Sequence, residues 1–464
     1  MSIRPVFCLI VILLFISSNI ALAAEGTSDS LLLSDVVTEA LANNPELQVA
    51  RQRWRAAQER PIQAAALDDP EFKVELFNYP ERLNPDASAN TIFGLSQRFP
   101  YPGKRALKKN LALKGVEIVE AQLRQKEREI AAQVKVVYYE LFLDYKAIGV
   151  HHQQIAILKQ LFEIANARFR AGKGAQVDAL KSSLEVSKLF NQLPILEQHR
   201  ESAKAKLNLL MNRPPEAALG APREPSRLAV KSTFEELQQL ALQNRPELTA
   251  FMKETTRSET AIALAQKQLY PDFNVMVERF QNFGARDGFG GMVAVTLPFS
   301  FWTKPKYDAG VREARANLQS AKAAYQALEN QVAFELKDLL VKIEAAEKLI
   351  LLYKTTVLPQ AQQTLDSARI AYQNAKVEFL TLLDAERAIR DFQLEYYRVL
   401  TALGQHNAEL ERAVGVELNA SAKETISPIT LNETKVSRVT LSEAKGRPVT
   451  LSEAKGLDSS LRSE

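Results

Sequence analysis

The feature that most limits how this chain can fold is a run from Arg105 to Arg170 with no proline and only two glycines, Gly115 and Gly149. Ala, Leu, Glu, Gln, Lys and Arg dominate it, and these residues lose little on entering a helix. Apolar side chains recur at Ile130, Val134, Val137, Tyr138, Leu141, Phe142 and Tyr145. That spacing of three and four puts them on one helical face. At about 1.5 Å per residue the run predicts a helix on the order of 100 Å long. Helices in globular domains average roughly 11 residues, so this one does not fit an ordinary compact domain. A second run of the same kind extends from Lys306 to Arg369. The fold class is therefore mainly α and elongated.

The N-terminus differs from the rest. Arg4 precedes an apolar stretch from Val6 to Ile16, and Ala21-Leu22-Ala23 is a small-x-small cleavage signal. The stretch is shorter than the roughly 20 residues that span a bilayer as a helix. It reads as a secretory signal over residues 1–23, cleaved near Ala23. The single cysteine, Cys8, lies inside it, too early for lipid attachment at the cleavage site. The formal charge of +4 implies no strong appetite for nucleic acid. No later stretch is long and apolar enough for a membrane helix, so any crossing must use strands.

An internal duplication organises the remainder. Asn44-Pro45-Glu46-Leu47 faces Asn244-Arg245-Pro246-Glu247-Leu248, and Asp69-Pro70-Glu71-Phe72 faces Tyr270-Pro271-Asp272-Phe273, at an offset of 201. Residues 24–213 and 233–415 form the two copies, and the proline-rich segment 214–232 links them. Each copy predicts one helix ending at a proline (Ser34–Leu67; Thr233–Leu269), a β-hairpin (71–100; 272–300), a long helix (105–170; 306–369) and a return helix (176–211; 378–414). Proline at 359 predicts a local kink or break in the second long helix. Residues 416–464 carry ten-residue repeats beginning at Thr430, Thr440 and Thr450, with balanced charge. This composition predicts a disordered tail.

The hairpins are the functional clue. Phe72, Val74 and Leu76 alternate with Lys73 and Glu75. Phe273, Val275 and Val277 alternate with Asn274, Met276 and Glu278, and Phe289 to Phe299 continues the pattern. Period-two alternation is the strand signature. Strands of about 9–11 residues cross a bilayer when tilted. Aromatics gather at both ends: Phe99, Tyr101, Tyr270, Phe299 and Trp302 on one side, Phe77, Tyr79, Phe280 and Phe283 on the other. Four strands cannot close a barrel, and an open edge cannot face lipid. Several chains must then share one barrel, which predicts a homo-oligomer in outer-membrane lipid.

Motifs for chemistry are missing. There is no G-x-x-x-x-G-K-[ST], H-E-x-x-H or G-x-S-x-G. His151 and His152 diverge by about 100° on a helix and cannot grip one ion together. They read as solvated or interfacial, as do His199 and His406. No catalytic residue, cofactor or metal site is expected, and the chain does not read as an enzyme.

The signal, the duplicated helix–hairpin–helix units and four motifs resemble the TolC-like outer-membrane factor family. The motifs are Asn44-Pro45-Glu46-Leu47, Gln97-Arg98-Phe99-Pro100-Tyr101-Pro102-Gly103-Lys104-Arg105, Leu358-Pro359-Gln360-Ala361 and Tyr372–Ala385. Phe-Pro-x-Pro-Gly-Lys-Arg and Leu-Pro-Gln-Ala are nearest the heavy-metal-efflux, CzcC/CusC-like branch. The resemblance implies a homotrimer whose twelve strands form one outer-membrane barrel and whose twelve helices continue it as a periplasmic tunnel. The register Ala321, Tyr325, Leu328, Val332, Leu336, Leu339, Ile343, Ala346, Ile350 suits this, because steps averaging roughly 3.6 leave helices nearly straight.

By the same resemblance the helix-to-helix turns form the periplasmic tip. Asp178, Tyr372 and Asp384 would make the constriction and hold it closed. Arg168, Gly172, Val177, Leu180, Ala375, Val377 and Leu383 would meet a periplasmic adaptor, which bridges to an inner-membrane RND or ABC pump. Val377 stands where some members carry arginine and Thr381 where some carry aspartate, so the lock is built differently here. Helix capping is the plainer reading of Asp178 and Asp384. The expected function is a passive duct exporting solutes, with heavy-metal cations as one substrate class. The alternatives are the outer-membrane part of a type I protein secretion system, or a non-conducting periplasmic coiled-coil scaffold.

Overall fold

The computed structural model describes residues 30–77, 90–224, 232–282 and 286–418. The signal segment, the outer aromatics Tyr79 and Phe283, and the repeats of the tail lie outside the described residues.

The first copy begins with three short helices rather than one: α1 Leu33–Asn43, α2 Pro45–Gln58 and α3 Arg60–Ala65. The cause of the first break is local. Pro45 opens α2 and pushes Asn44 out of helical geometry, to ψ 126°. Asn44 then caps α2, its Oδ1 accepting from Glu46 N at 2.9 Å, while its Nδ2 donates to the Leu210 carbonyl at 2.9 Å. Strand β1, Glu71–Phe77, and strand β2, Asn90–Phe99, follow. Next come the long helix α4, Lys104–Arg170, of 67 residues, and the return helix α5, Gln176–Leu210. Gly103, at φ 90°, makes the tight entry into α4 that a side chain would resist.

The second copy repeats the plan and again splits the expected single helix. It has α6 Phe234–Asn244 and α7 Pro246–Lys267, with Arg245 extended ahead of Pro246. Thr233 and Glu236 form a capping box on α6. Strands β3 Phe273–Asn282 and β4 Gly288–Val295 follow. β4 stops short of Phe299, because Thr296 turns to bond Asp272 and Pro298 cannot extend the ladder. The second long helix is divided as well. α8, Lys304–Leu352, passes through one π-helical turn, Tyr353–Val357, into α9, Leu358–Gln373. Pro359 lacks the N–H that a regular turn needs here, and the wide turn just before it takes up the mismatch. The return helix α10 is Phe379–Val414.

All four strands form one antiparallel sheet in the order β1-β2-β3-β4. The β2–β3 ladder joins the two copies, from Asn90↔Asn282 to Phe99↔Phe273. This register sorts the side chains by face. Phe72, Val74, Leu95, Val275, Val277, Phe289 and Val293 share one face and stand exposed. Lys73, Glu75, Gly94, Ser96, Met276, Glu278, Gly290 and Met292 share the other. The first face also carries Thr91, Gln97, Arg279 and Gln281, toward the strand ends, and leaves an apolar band between them; such a band opposite a more polar, small-residue face is the pattern of a lipid-facing barrel wall. Strands β1 and β4 have no partner on their outer edges among the described residues.

Three apolar clusters hold the helices. One is built by Leu158 and Leu161 of α4, Leu365 and Ala368 of α9, and Leu382 and Ile389 of α10. A second joins α8 to α10, through Leu336, Ile343, Leu403 and Leu410 among others. The third packs α1 and α2 on α4 and α5. Gly404 lets α10 lie against Tyr139 of α4, where an added Cβ would meet the ring at 2.6 Å.

Candidate functional site

Both helix-to-helix turns have the same hydrogen-bond plan. Lys173 N bonds the Arg168 carbonyl at 2.9 Å, and Lys376 N bonds the Ala371 carbonyl at 2.9 Å. Each turn needs one left-handed residue. Gly172 supplies it at φ 68° in the first copy; Ala375 supplies it at φ 59° in the second. Alanine pays a steric penalty there of about 1 kcal/mol. Ala375→Gly is therefore expected to raise the unfolding temperature of the solubilised protein by a few degrees, readable by calorimetry.

The tip residues named from sequence separate into groups. Tyr372 is buried at the end of α9, and its hydroxyl donates to Asp178 Oδ2 at 3.0 Å. The Arg168 guanidinium lies 4.5 Å over the Tyr372 ring, and Phe379 meets the ring edge at 5.4 Å. Arg168 Nη2 donates to the Lys173 carbonyl at 3.0 Å. Burial and the Asp178 carboxylate push the Tyr372 phenol up to about 12, so it remains a donor at any physiological pH. The contact links the α4–α5 hairpin of the first copy to the α9–α10 hairpin of the second. Asp178 sits in the first turn of α5 without capping it, and Asp384 is six residues into α10, beyond a cap position. The capping alternative does not hold for either.

Asp384 is exposed and is not brought to Tyr372; Arg387 reaches it at 3.4 Å. Arg387 also donates to Glu185 of α5, whose other partner, Lys188, is at 2.7 Å. Burial works against the Glu185 carboxylate, but the hydrogen bonds from Arg387 and Lys188 outweigh it and hold it below its ordinary range. Sequence pattern alone singles out neither partner of this second link. Val177 and Leu180 are exposed, as are Gly172 and Ala375. Leu383 is a correction. It is 2 % exposed and packs in the α4–α9–α10 cluster, so it cannot present itself to another protein. Of the two roles expected for His151, solvated or interfacial, it has the interfacial one: it is buried between α4 and α5, its ring nitrogens engaged by the Ala147 carbonyl at 2.9 Å and Gln192 Oε1 at 3.0 Å.

A second polar centre joins the sheet to the helices. Asp272 accepts from Lys104 Nζ at 2.8 Å, Arg98 Nη2 at 3.0 Å and Tyr101 N at 2.9 Å. Lys104 also donates to the Tyr270 carbonyl at 2.8 Å, and Tyr101 and Tyr270 stack at 4.6 Å. The motif Arg98-Phe99-Pro100-Tyr101-Pro102-Gly103-Lys104 of the first copy thus clamps the Tyr270-Pro271-Asp272 turn of the second. Among the described residues no helix is long and apolar enough to cross a membrane.

The pattern of the family described as "Outer membrane efflux protein" matches residues 36–213 and again 237–416. The cobalt-zinc-cadmium resistance protein CzcC of Cupriavidus metallidurans is 24% identical over 421 residues, covering 86% of this chain and 97% of its own length. The solved structure of CusC, described in terms of transmembrane channel formation, superposes with a TM-score of 0.72 at 17% identity, over 85% of this chain and 96% of that one. The outer membrane protein VceC of Vibrio cholerae gives 0.70 at 19%, over 83% and 96%. With the family pattern present once in each repeat, and a helical bundle carrying a small antiparallel sheet, this chain belongs to the outer membrane efflux protein family.

Proposed function

We propose that three copies of this chain form one passive duct through the outer membrane and down into the periplasm. The carrying observation is the open sheet: four strands, an exposed and largely apolar face, and two edges, β1 and β4, left unpaired among the described residues. Pairing β4 of one copy with β1 of the next buries both edges, and closed rotation of the same contact makes a ring. Glu75, Ser96, Arg98 and Glu278 then line the lumen. The signal over residues 1–23 would deliver the chain to the periplasm. Similarity to CzcC favours heavy-metal cations among the solutes. An RND-type pump would supply the energy, through a periplasmic adaptor that meets Val177, Leu180, Gly172 and Ala375.

The Tyr372–Asp178 and Arg387–Glu185 links hold the tip closed in this reading, with Asp384 a carboxylate near the constriction. Polar links of this kind part more readily than a packed apolar seam. The test is reconstitution. Purified protein should run at three times the chain mass and give stepwise conductance in planar bilayers, whereas a non-conducting monomer overturns the reading. Tyr372→Phe keeps the ring under Arg168 and removes only the hydroxyl. It should raise single-channel open probability roughly ten-fold, as expected for losing about 1.5 kcal/mol from a hydrogen bond to a charged group.

A further inference from the structure

One acidic residue near the tip is placed where a charge is hard to keep. Glu386 lies one turn beyond Leu382 on α10 and is 0% exposed. Neither of its carboxylate oxygens has a hydrogen-bond partner among the described residues. The apolar cluster around this part of α10 includes Leu382, Leu383 and Ile389 of its own helix, Leu158 and Leu161 of α4, and Leu365 and Ala368 of α9. The cations within reach are committed elsewhere. Arg387 bonds Glu185, and Arg390 pairs with Asp391 at 3.1 Å.

We propose that Glu386 is a proton-operated latch on α10: protonated, it stays in the apolar seam and the tip remains packed; ionised, it draws in Arg390, Arg387 or water and loosens the tip. An ionised carboxylate without donors is far costlier to bury than a neutral carboxyl. Of the two arginines that act on Glu386, Arg387 is also the one that ties α10 to α5. Ionisation of Glu386 therefore competes for a link that holds the two hairpins together.

The groups facing Glu386 set the direction of the response. Burial pushes its carboxyl up to about 7, the Glu185 and Asp391 carboxylates add to this, and Arg390 and Arg387 oppose it. His151 of α4 lines the neighbouring cavity between α5 and α10, with both ring nitrogens already engaged. The α4 and α9 members of the apolar cluster carry no charge. An acid whose packed-state value is raised stabilises the packed state fully below its ordinary value. That advantage is lost as pH rises toward the raised value and is gone above it. The latch thus holds in acid and loosens progressively between about pH 4.5 and 7.

This inference rests on the tip being the gate, so its test has one arm independent of conduction. Full-length wild type and Glu386→Gln are melted in detergent from about pH 4 to 8.5. The two should melt together at the acid end, and E386Q should melt higher at the alkaline end. In planar bilayers, wild-type open probability should rise about ten-fold or more over that range, while E386Q stays flat. Parallel melting curves across the range overturn the proposal. So does a wild-type pH response that survives in E386Q and vanishes in Asp384→Asn, because the exposed carboxylate would then carry it. If no variant conducts, the duct reading fails, and the melting comparison still decides whether Glu386 senses protons.

Discussion

Replacing Asp272 by alanine should destabilise the solubilised protein by about 3–5 kcal/mol, the cost of removing one partner from a buried ion pair. Lys104 is only 4% exposed at its side chain, and the carboxylate 2.8 Å away is its charge partner. Without it the ammonium keeps one carbonyl, that of Tyr270. Arg98 and the Tyr101 N–H lose their acceptor in the same step. The damage falls at one place, where the β2–α4 connection of the first copy grips the entry to β3 in the second. Chemical denaturation followed by circular dichroism checks the magnitude. Asp272→Asn keeps the shape and some hydrogen bonding, and should fall between wild type and D272A. Equal stability of all three proteins would show that the clamp is incidental.

An arginine in place of Val277 is the second large effect. Val277 lies mid-strand in β3, opposite Leu95 on one side and Gly291 on the other, and is 57% exposed. If that exposure is to lipid, an arginine at mid-depth costs about 2–4 kcal/mol per chain. In a shared barrel the cost is paid by every copy, so V277R should be depleted from the outer-membrane fraction. Met276→Lys, one residue along and on the opposite face, is the control. In the proposed barrel its side chain would face the lumen, and the substitution should be tolerated. Equal membrane yields for the two variants would contradict the assignment of faces.

The local features of this fold are legible in sequence wherever a few neighbouring residues decide them. Tyr101-Pro102-Gly103 stops one element and starts α4, and the apolar face from Ile130 to Tyr145 follows from spacing alone. Alternation around Val275 and Val277 marks strand β3 in the same way. Pairing of β2 with β3 is different in kind. It unites residues about 180 positions apart, and nothing near Phe99 names Phe273 as its partner. The split at Asn44 follows from Pro45, yet the surrounding helical composition argues for continuity. The π turn at Tyr353–Val357 has only Pro359 as a signal. Within the candidate tip, Tyr372 and Asp178 are visible through family resemblance. Glu386 hides inside a regular apolar register, Phe379, Leu382, Leu383, Ile389, where a polar letter reads as an interruption of no consequence. Its burial depends on how α10 meets its neighbours, which one helix's sequence does not record.

In the proposed ring, the two rims of the sheet left open among the described residues make every subunit at once a donor and a receiver. A ring built that way tolerates no weak member: one protomer with a blunted β4 rim leaves a gap that its healthy neighbours cannot seal. A cell carrying equal amounts of sound and blunted chains would complete only about one ring in eight, if three join at random. Damaged chains co-expressed with sound ones would be felt in such an assembly as near-total loss.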